Sequence, residues 1–160
     1  MIIRRVKLFI SMNSIFSVIG MLLCVNIGNV YAQESPDHRT EHTAMFTLEI
    51  NGLSNIEGEI RIAMFNSQES YKVNPFASVV LDVDSTSIFW RIEELLYGDY
   101  AIAVYHDKNM NGQLDTNLLG IPKERYGFSN NARRRFGPAT WNESYFTFDL
   151  QSKTHLITIK

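Results

Sequence analysis

The chain is 160 residues long, with one cysteine, 45% apolar residues and a formal net charge of −2. That length suits one domain with its own core, and a single cysteine excludes an intrachain disulfide framework. The mild acidity excludes a general nucleic-acid binder, whose affinity comes from neutralising phosphates.

Residues 1–32 have the layout of an export signal. Arg4, Arg5 and Lys7 form a basic start, Leu8 to Val30 is largely apolar, and Val30-Tyr31-Ala32 places small residues where a signal peptidase reads them. Cleavage after Ala32 takes 32 of the 160 residues and leaves 128, without Cys24. The 15 cations less Arg4, Arg5 and Lys7 leave 12 against 17 carboxylates, a net −5. An uncleaved anchor is the other reading, because the apolar stretch approaches the length of a span. Asn13, Ser14, Ser17 and Asn26 interrupt it, and Leu23 before Cys24 is the wrong residue for a lipoprotein. The expectation is a periplasmic or extracellular protein with no membrane span after cleavage.

Residues 33–43 are polar, contain Pro36, and read as an exposed linker. The stretch His38-Arg-Thr-Glu-His42 matches a zinc-peptidase pattern, but it has neither an apolar helix face nor a partner ligand. From Ala44 to Lys160 the texture is that of an all-β domain. Period-two alternation places Phe46, Leu48 and Ile50 on one face of a first strand, and Ile60, Ile62 and Met64 on one face of a second. Val79, Leu81 and Val83 follow as a third, Ile88, Trp90 and Ile92 as a fourth, and Tyr100, Ile102 and Val104 as a fifth. Phe146, Phe148 and Leu150 make a sixth, and His155, Ile157 and Ile159 a seventh. A helical turn is expected only at 67–72. Seven short strands in this span predict an antiparallel two-sheet sandwich of the immunoglobulin or transthyretin kind. The segment Leu95-Leu96-Tyr97-Gly98-Asp99-Tyr100 resembles a corner whose tyrosine hydroxyl bonds back to nearby backbone; an ordinary glycine turn before a core tyrosine is the alternative.

Between Asp107 and Asn142 no convincing strand is legible. A gap this long is usually functional or disordered, and its aromatics and arginines favour a packed loop. At its start, Asp107, Asn109, Asn111, the carbonyl of Gln113 and Asp115 fall at positions one, three, five, seven and nine of a calcium loop, with Gly112 at six. Position twelve is Leu118 rather than a carboxylate, so the expected calcium affinity is modest unless another carboxylate, such as Glu124 or Glu143, folds in. The same spacing equally serves Asx turns that only shape backbone. Further on, Tyr126, Ser129, Asn130, Asn131 and Arg133, together with His106, form a candidate ligand surface. The two asparagines tolerate left-handed backbone, arginine grips anions, and Tyr126, Phe128 and Phe136 offer stacking faces for a sugar. The other reading is a structured loop whose arginines pair with Asp107 or Asp115.

The string from Leu96 to Asn117, then Gly120-Ile-Pro122, Glu124, Tyr126-Gly-Phe-Ser-Asn-Asn-Ala-Arg133 and Phe136-Gly-Pro138, resembles domain-of-unknown-function family 2141. So do Asn51-Gly52-Leu53 and the strand Gly58 to Phe65. The resemblance implies a small exported bacterial protein with one compact β domain and no established activity. Motifs of serine, cysteine or phosphate-binding enzymes are missing. The expected function is therefore an exported module that binds a protein or carbohydrate. An envelope hydrolase using His106 or Asp107, and a purely structural envelope protein, are the rivals.

Overall fold

The computed structural model describes residues 42–149 and 154–160. The leader, nearly all of the linker, the stretch His38 to Glu41, and Leu150 lie outside them. Residues 41–160 form a compact unit that holds every described element.

The unit is mostly β, in two sheets, with one four-residue helix. In chain order the strands are β1 (Thr43–Asn51), β2 (Glu59–Phe65), β3 (Ala77–Asp82), β4 (Ile88–Leu96), β5 (Gly98–Asp107), β6 (Tyr126–Phe128), β7 (Phe146–Phe148) and β8 (Thr154–Thr158). One sheet has the order β4-β1-β8. The other runs β3-β2-β5-β6, with β7 pairing the opposite end of β5. The helix α1 (Trp141–Ser144) starts where the Glu143 carboxylate accepts the Thr140 N–H at 2.7 Å.

Alternation placed the faces correctly. Phe46, Leu48, Ile50, Ile60, Ile62, Met64, Tyr100, Ile102, Val104, Ile157 and Ile159 are all buried, in one apolar cluster fed by both sheets. Each large side chain buried there contributes about 1.5–3 kcal/mol relative to exposure. Tyr100 also completes the expected corner, its hydroxyl donating to the Leu96 carbonyl at 2.9 Å.

Three features depart from the sequence reading. The sheets are not wholly antiparallel: β8 pairs β1 in parallel, Leu48 opposite His155 and Ile50 opposite Ile157. Side-chain alternation reports which face a residue takes, not the direction of its neighbouring strand. The long gap holds an eighth strand, β6, three residues long and too short to show a period. Besides the expected turn, where residues 68–73 close with Asn74 N–H on the Ser70 carbonyl, a helical segment also forms at Trp141–Ser144, where none was expected.

At one end of the second sheet both faces are covered. Met64 and Phe65 are adjacent yet both buried, one in each direction. Phe65, Ala101 and Phe128 meet Tyr71 and Ala139 in a second apolar cluster, which Tyr126 and Trp141 flank. Residues 66–76 and 129–145 thus roof this end of the sheet. The other end of the same face carries Arg61, Tyr105 and Asp107, and there the candidate site lies.

Candidate functional site

Alternation along β5 sends His106 inward and Asp107 outward, and both are buried. His106 places Nε2 2.6 Å from the Glu57 carbonyl. A carbonyl only accepts, so Nε2 carries the proton and is not free to act as a base.

Asp107 is the organising residue. Its side chain is fully buried, and Arg61 Nε donates to Oδ2 at 2.7 Å. The N–H groups of Asn111 (3.1 Å, to Oδ1) and Gly112 (2.7 Å, to Oδ2) complete it. Burial alone pushes this carboxyl up; hydrogen bonds from Gly112, Arg61 and Asn111, with the Arg61 charge, outweigh it and hold the group below its usual range. Arg61 itself reaches Glu59 at 3.0 Å.

The following loop is built of nested turns. Asn109 Oδ1 accepts the Asn111 N–H at 3.1 Å, and Asn111 Oδ1 accepts the Gln113 N–H at 2.8 Å. Met110 takes φ 58° and Gly112 φ 82°, the left-handed residues such turns need. The amide nitrogens of Asn109 and Asn111 donate to Asp115 at 2.8 and 3.1 Å. Tyr105 clamps the loop from the sheet, its hydroxyl donating to the Gly112 carbonyl at 2.9 Å. Glu124 is buried beside it and ties both ends of the loop. Its Oε1 accepts the Lys108 N–H at 3.0 Å and its Oε2 the Asp115 N–H at 2.9 Å. Lys108 pairs outward with Glu57 at 2.7 Å.

The five expected cation ligands are therefore neighbours, and Glu124 does fold in, while Glu143 goes to α1. The donor set as it stands suits calcium poorly. Asp107 already receives three donors, one of them cationic. Asn109 and Asn111 turn nitrogens, not oxygens, toward Asp115. Among the described residues, no three His, Cys, Asp or Glu side chains are grouped as metal ligands.

The second candidate set lies along the roof, and most of its polar atoms point into the protein. Ser129 is buried, accepts the Ile102 N–H at 2.9 Å and donates to the Ser144 carbonyl. Asn130 and Asn131 have φ 59° and 52°, the left-handed backbone their residue type suggested. Asn130 Nδ2 donates to the Tyr145 carbonyl at 2.7 Å, and its N–H donates to His155 Nε2 at 3.0 Å. Burial lowers the pKa of that imidazole, which also stacks on Phe146 with ring centres 4.2 Å apart. Asn131 brackets the edge of β8: Oδ1 accepts the Thr158 N–H at 2.7 Å, and Nδ2 lies 3.5 Å from the Leu156 carbonyl. Arg133 stacks over Tyr126 at 5.3 Å and donates to its carbonyl at 3.1 Å. None of the three clustered arginines reaches Asp107 or Asp115. Arg134 meets Glu143 at 3.6 Å instead.

Sequence reasoning missed Arg61. Its only signal was a cation alternating with Ile60 and Ile62 on an outward face, and its partner is 46 positions away. A depression of about 260 Å³ opens over Ala63, Ala103 and Ser78, walled by Arg61, Val80 and Tyr105; neither His106 nor Asp107 lines it.

This combination defines a β-rich domain with one long loop, pinned by buried charge, over a plain scaffold. The chain belongs to the family described as an uncharacterized protein conserved in bacteria (DUF2141), whose model matches residues 48–156. No curated protein and no solved structure matches it.

Proposed function

We propose that the chain is an exported binding or interaction module on an immunoglobulin- or transthyretin-like sandwich, working through residues 106–138. The observation that carries this reading is the fixing of an exposed loop by buried charged groups. Asp107 and Glu124, buried, and Arg61, half-buried, spend desolvation free energy on a segment that adds little to the main core. Meanwhile Leu118, Leu119, Ile121 and Phe136 stay exposed on it. A rigid frame presenting apolar and basic residues suits recognition. Catalysis has less support, because the His106 proton is committed to Glu57, Asp107 is held ionised, and neither lines the depression.

Calcium enters this reading as a competitor of Arg61. An ion held by Asp107, Asn109, Asn111, the Gln113 carbonyl and Asp115 would require both amides to rotate. Thermal melting of residues 41–160 in EDTA, and then in calcium, tests it. A ligand of the folded state adds about 2.7 kcal/mol at a hundredfold excess over its dissociation constant. A rise specific to calcium over magnesium, and lost in Asp115→Ala, supports the ion; an unchanged melt removes it. The binding surface itself is tested by hydrogen exchange after mixing with bacterial envelope protein, glycan and lipid fractions. New protection within 106–138 is expected. Protection confined to other segments, or none with any fraction, overturns the proposal.

A further inference from the structure

Past the Asp107–Asp115 loop the chain makes a small hairpin. The Lys123 N–H meets the Asp115 carbonyl at 2.8 Å, Thr116 bridges Pro122, and the Asn117 N–H meets the Ile121 carbonyl at 2.8 Å. Its tip is Leu118-Leu119-Gly120-Ile121. Leu118 is 105% exposed, Leu119 83% and Ile121 55%. Neither apolar cluster includes them.

The tip is nevertheless well held. Asn117 Oδ1 accepts the N–H groups of Leu119 and Ile121 at 2.9 and 3.0 Å, and the Asn117 carbonyl accepts that of Gly120 at 2.9 Å. Three successive backbone donors are thus satisfied inside the turn. Docking into a protein groove does not demand this, since the partner can supply acceptors. Entry into hydrocarbon does, because lipid supplies none. The charges at the base point the same way. Alternation after Pro122 leaves Lys123 and Arg125 exposed, Arg125 also donating through Nη1 to the Gly52 carbonyl at 3.0 Å, while Glu124 turns inward onto two N–H groups. Asp115, half-buried, accepts the neutral amides of Asn109 and Asn111. A convex apolar tip with exposed cations at its root and Glu124 turned inward complements an anionic membrane surface.

We propose that the 117–121 tip docks this domain on an anionic lipid bilayer, with Leu118, Leu119 and Ile121 at the acyl boundary and Lys123 and Arg125 on lipid phosphates. This names the ligand class of the surface proposed above and rests on that reading. The attachment is peripheral; among the described residues no helix is long and apolar enough to cross a membrane.

The test is co-sedimentation of residues 41–160 with phosphatidylcholine vesicles, with and without added phosphatidylglycerol. Binding to the mixed vesicles, weakened by salt, is expected. Leu118→Ser with Leu119→Ser should cut partitioning roughly tenfold or more, and Lys123→Glu with Arg125→Glu should abolish the preference for anionic lipid. Thermal melts confirm that each variant folds; the charge pair keeps the test open if the serine pair does not. Variants that partition like the parent, or a parent that sediments with neither vesicle, overturn the proposal. Loss of a dimer in the serine variant, by ultracentrifugation, overturns it in favour of self-association. Exchange protection of 106–138 by protein or glycan, with vesicles giving none at 117–121, ends the lipid proposal while leaving the binding surface standing.

Discussion

Asp107 is a carboxylate whose ionisation is worth more folded than unfolded. Its folded value is depressed, so its stabilisation is fully present above the unfolded value near pH 4 and is lost as pH falls through the lower folded value. Asp107→Asn keeps the shape but removes the charge that Arg61 and two backbone donors converge on. It should destabilise by about 2–4 kcal/mol at neutral pH and flatten the acid limb below about pH 4. Urea unfolding of both proteins at pH 7 and pH 3 checks this; equal pH dependence would refute the assignment. Part of this site was legible from residue type alone. Asx and Gly at alternate positions announced a tight loop, and Asn130-Asn131 announced left-handed backbone. What each oxygen faces was not legible, because a calcium loop and a chain of Asx turns call for the same spacing. Arg61 was hidden for a different reason, since only the β2–β5 register brings it beside Asp107.

Asn131 does for β8 what a neighbouring strand would do. Its side-chain amide offers an acceptor to Thr158 N–H and a donor toward the Leu156 carbonyl, the pair a peptide unit presents across a sheet. Removing it reopens that edge. Asn131→Ala should cost about 1–2 kcal/mol and speed amide exchange at Thr158 well beyond the change at Ile157, as read by native-state hydrogen exchange. An unchanged Thr158 rate would show that the bracket contributes nothing. Elements with a long alternating run were read correctly, β1, β2 and β5 above all. Two short ones escaped, β6 with three residues and α1 with four, whereas the equally short β7 showed its faces through Phe146 and Phe148. In pieces that brief the tertiary partner decides the conformation, and sequence shows only the piece.

Two apolar clusters divide the molecule, one shared by the sheets and one beneath the roof. Trp90 belongs to the first and Trp141 flanks the second, so each tryptophan reports on one. The roof is bolted to β5 through Ser129 and to β8 through Asn130 and Asn131, which predicts one cooperative unit. Fluorescence melts of Trp90→Phe and Trp141→Phe in residues 41–160 should therefore share the shape of a single transition in each case, with exchange protection lost together in both clusters. An earlier loss around Trp141 would mark the roof as a separately folding layer. At this scale the two-sheet, β-rich plan was legible because apolar alternation is a statement about faces. The parallel β1–β8 pairing was not, because direction leaves no trace in that pattern. That pairing has a temporal consequence. β1 is the first of the eight described strands that a ribosome makes, yet one of its edges is filled only by the last of them. The β4-β1-β8 sheet therefore cannot close until residues 154–158 have emerged. A chain wired this way holds its first-made strand paired on one side only while everything between is synthesised, a long-range closure of the kind that slows folding.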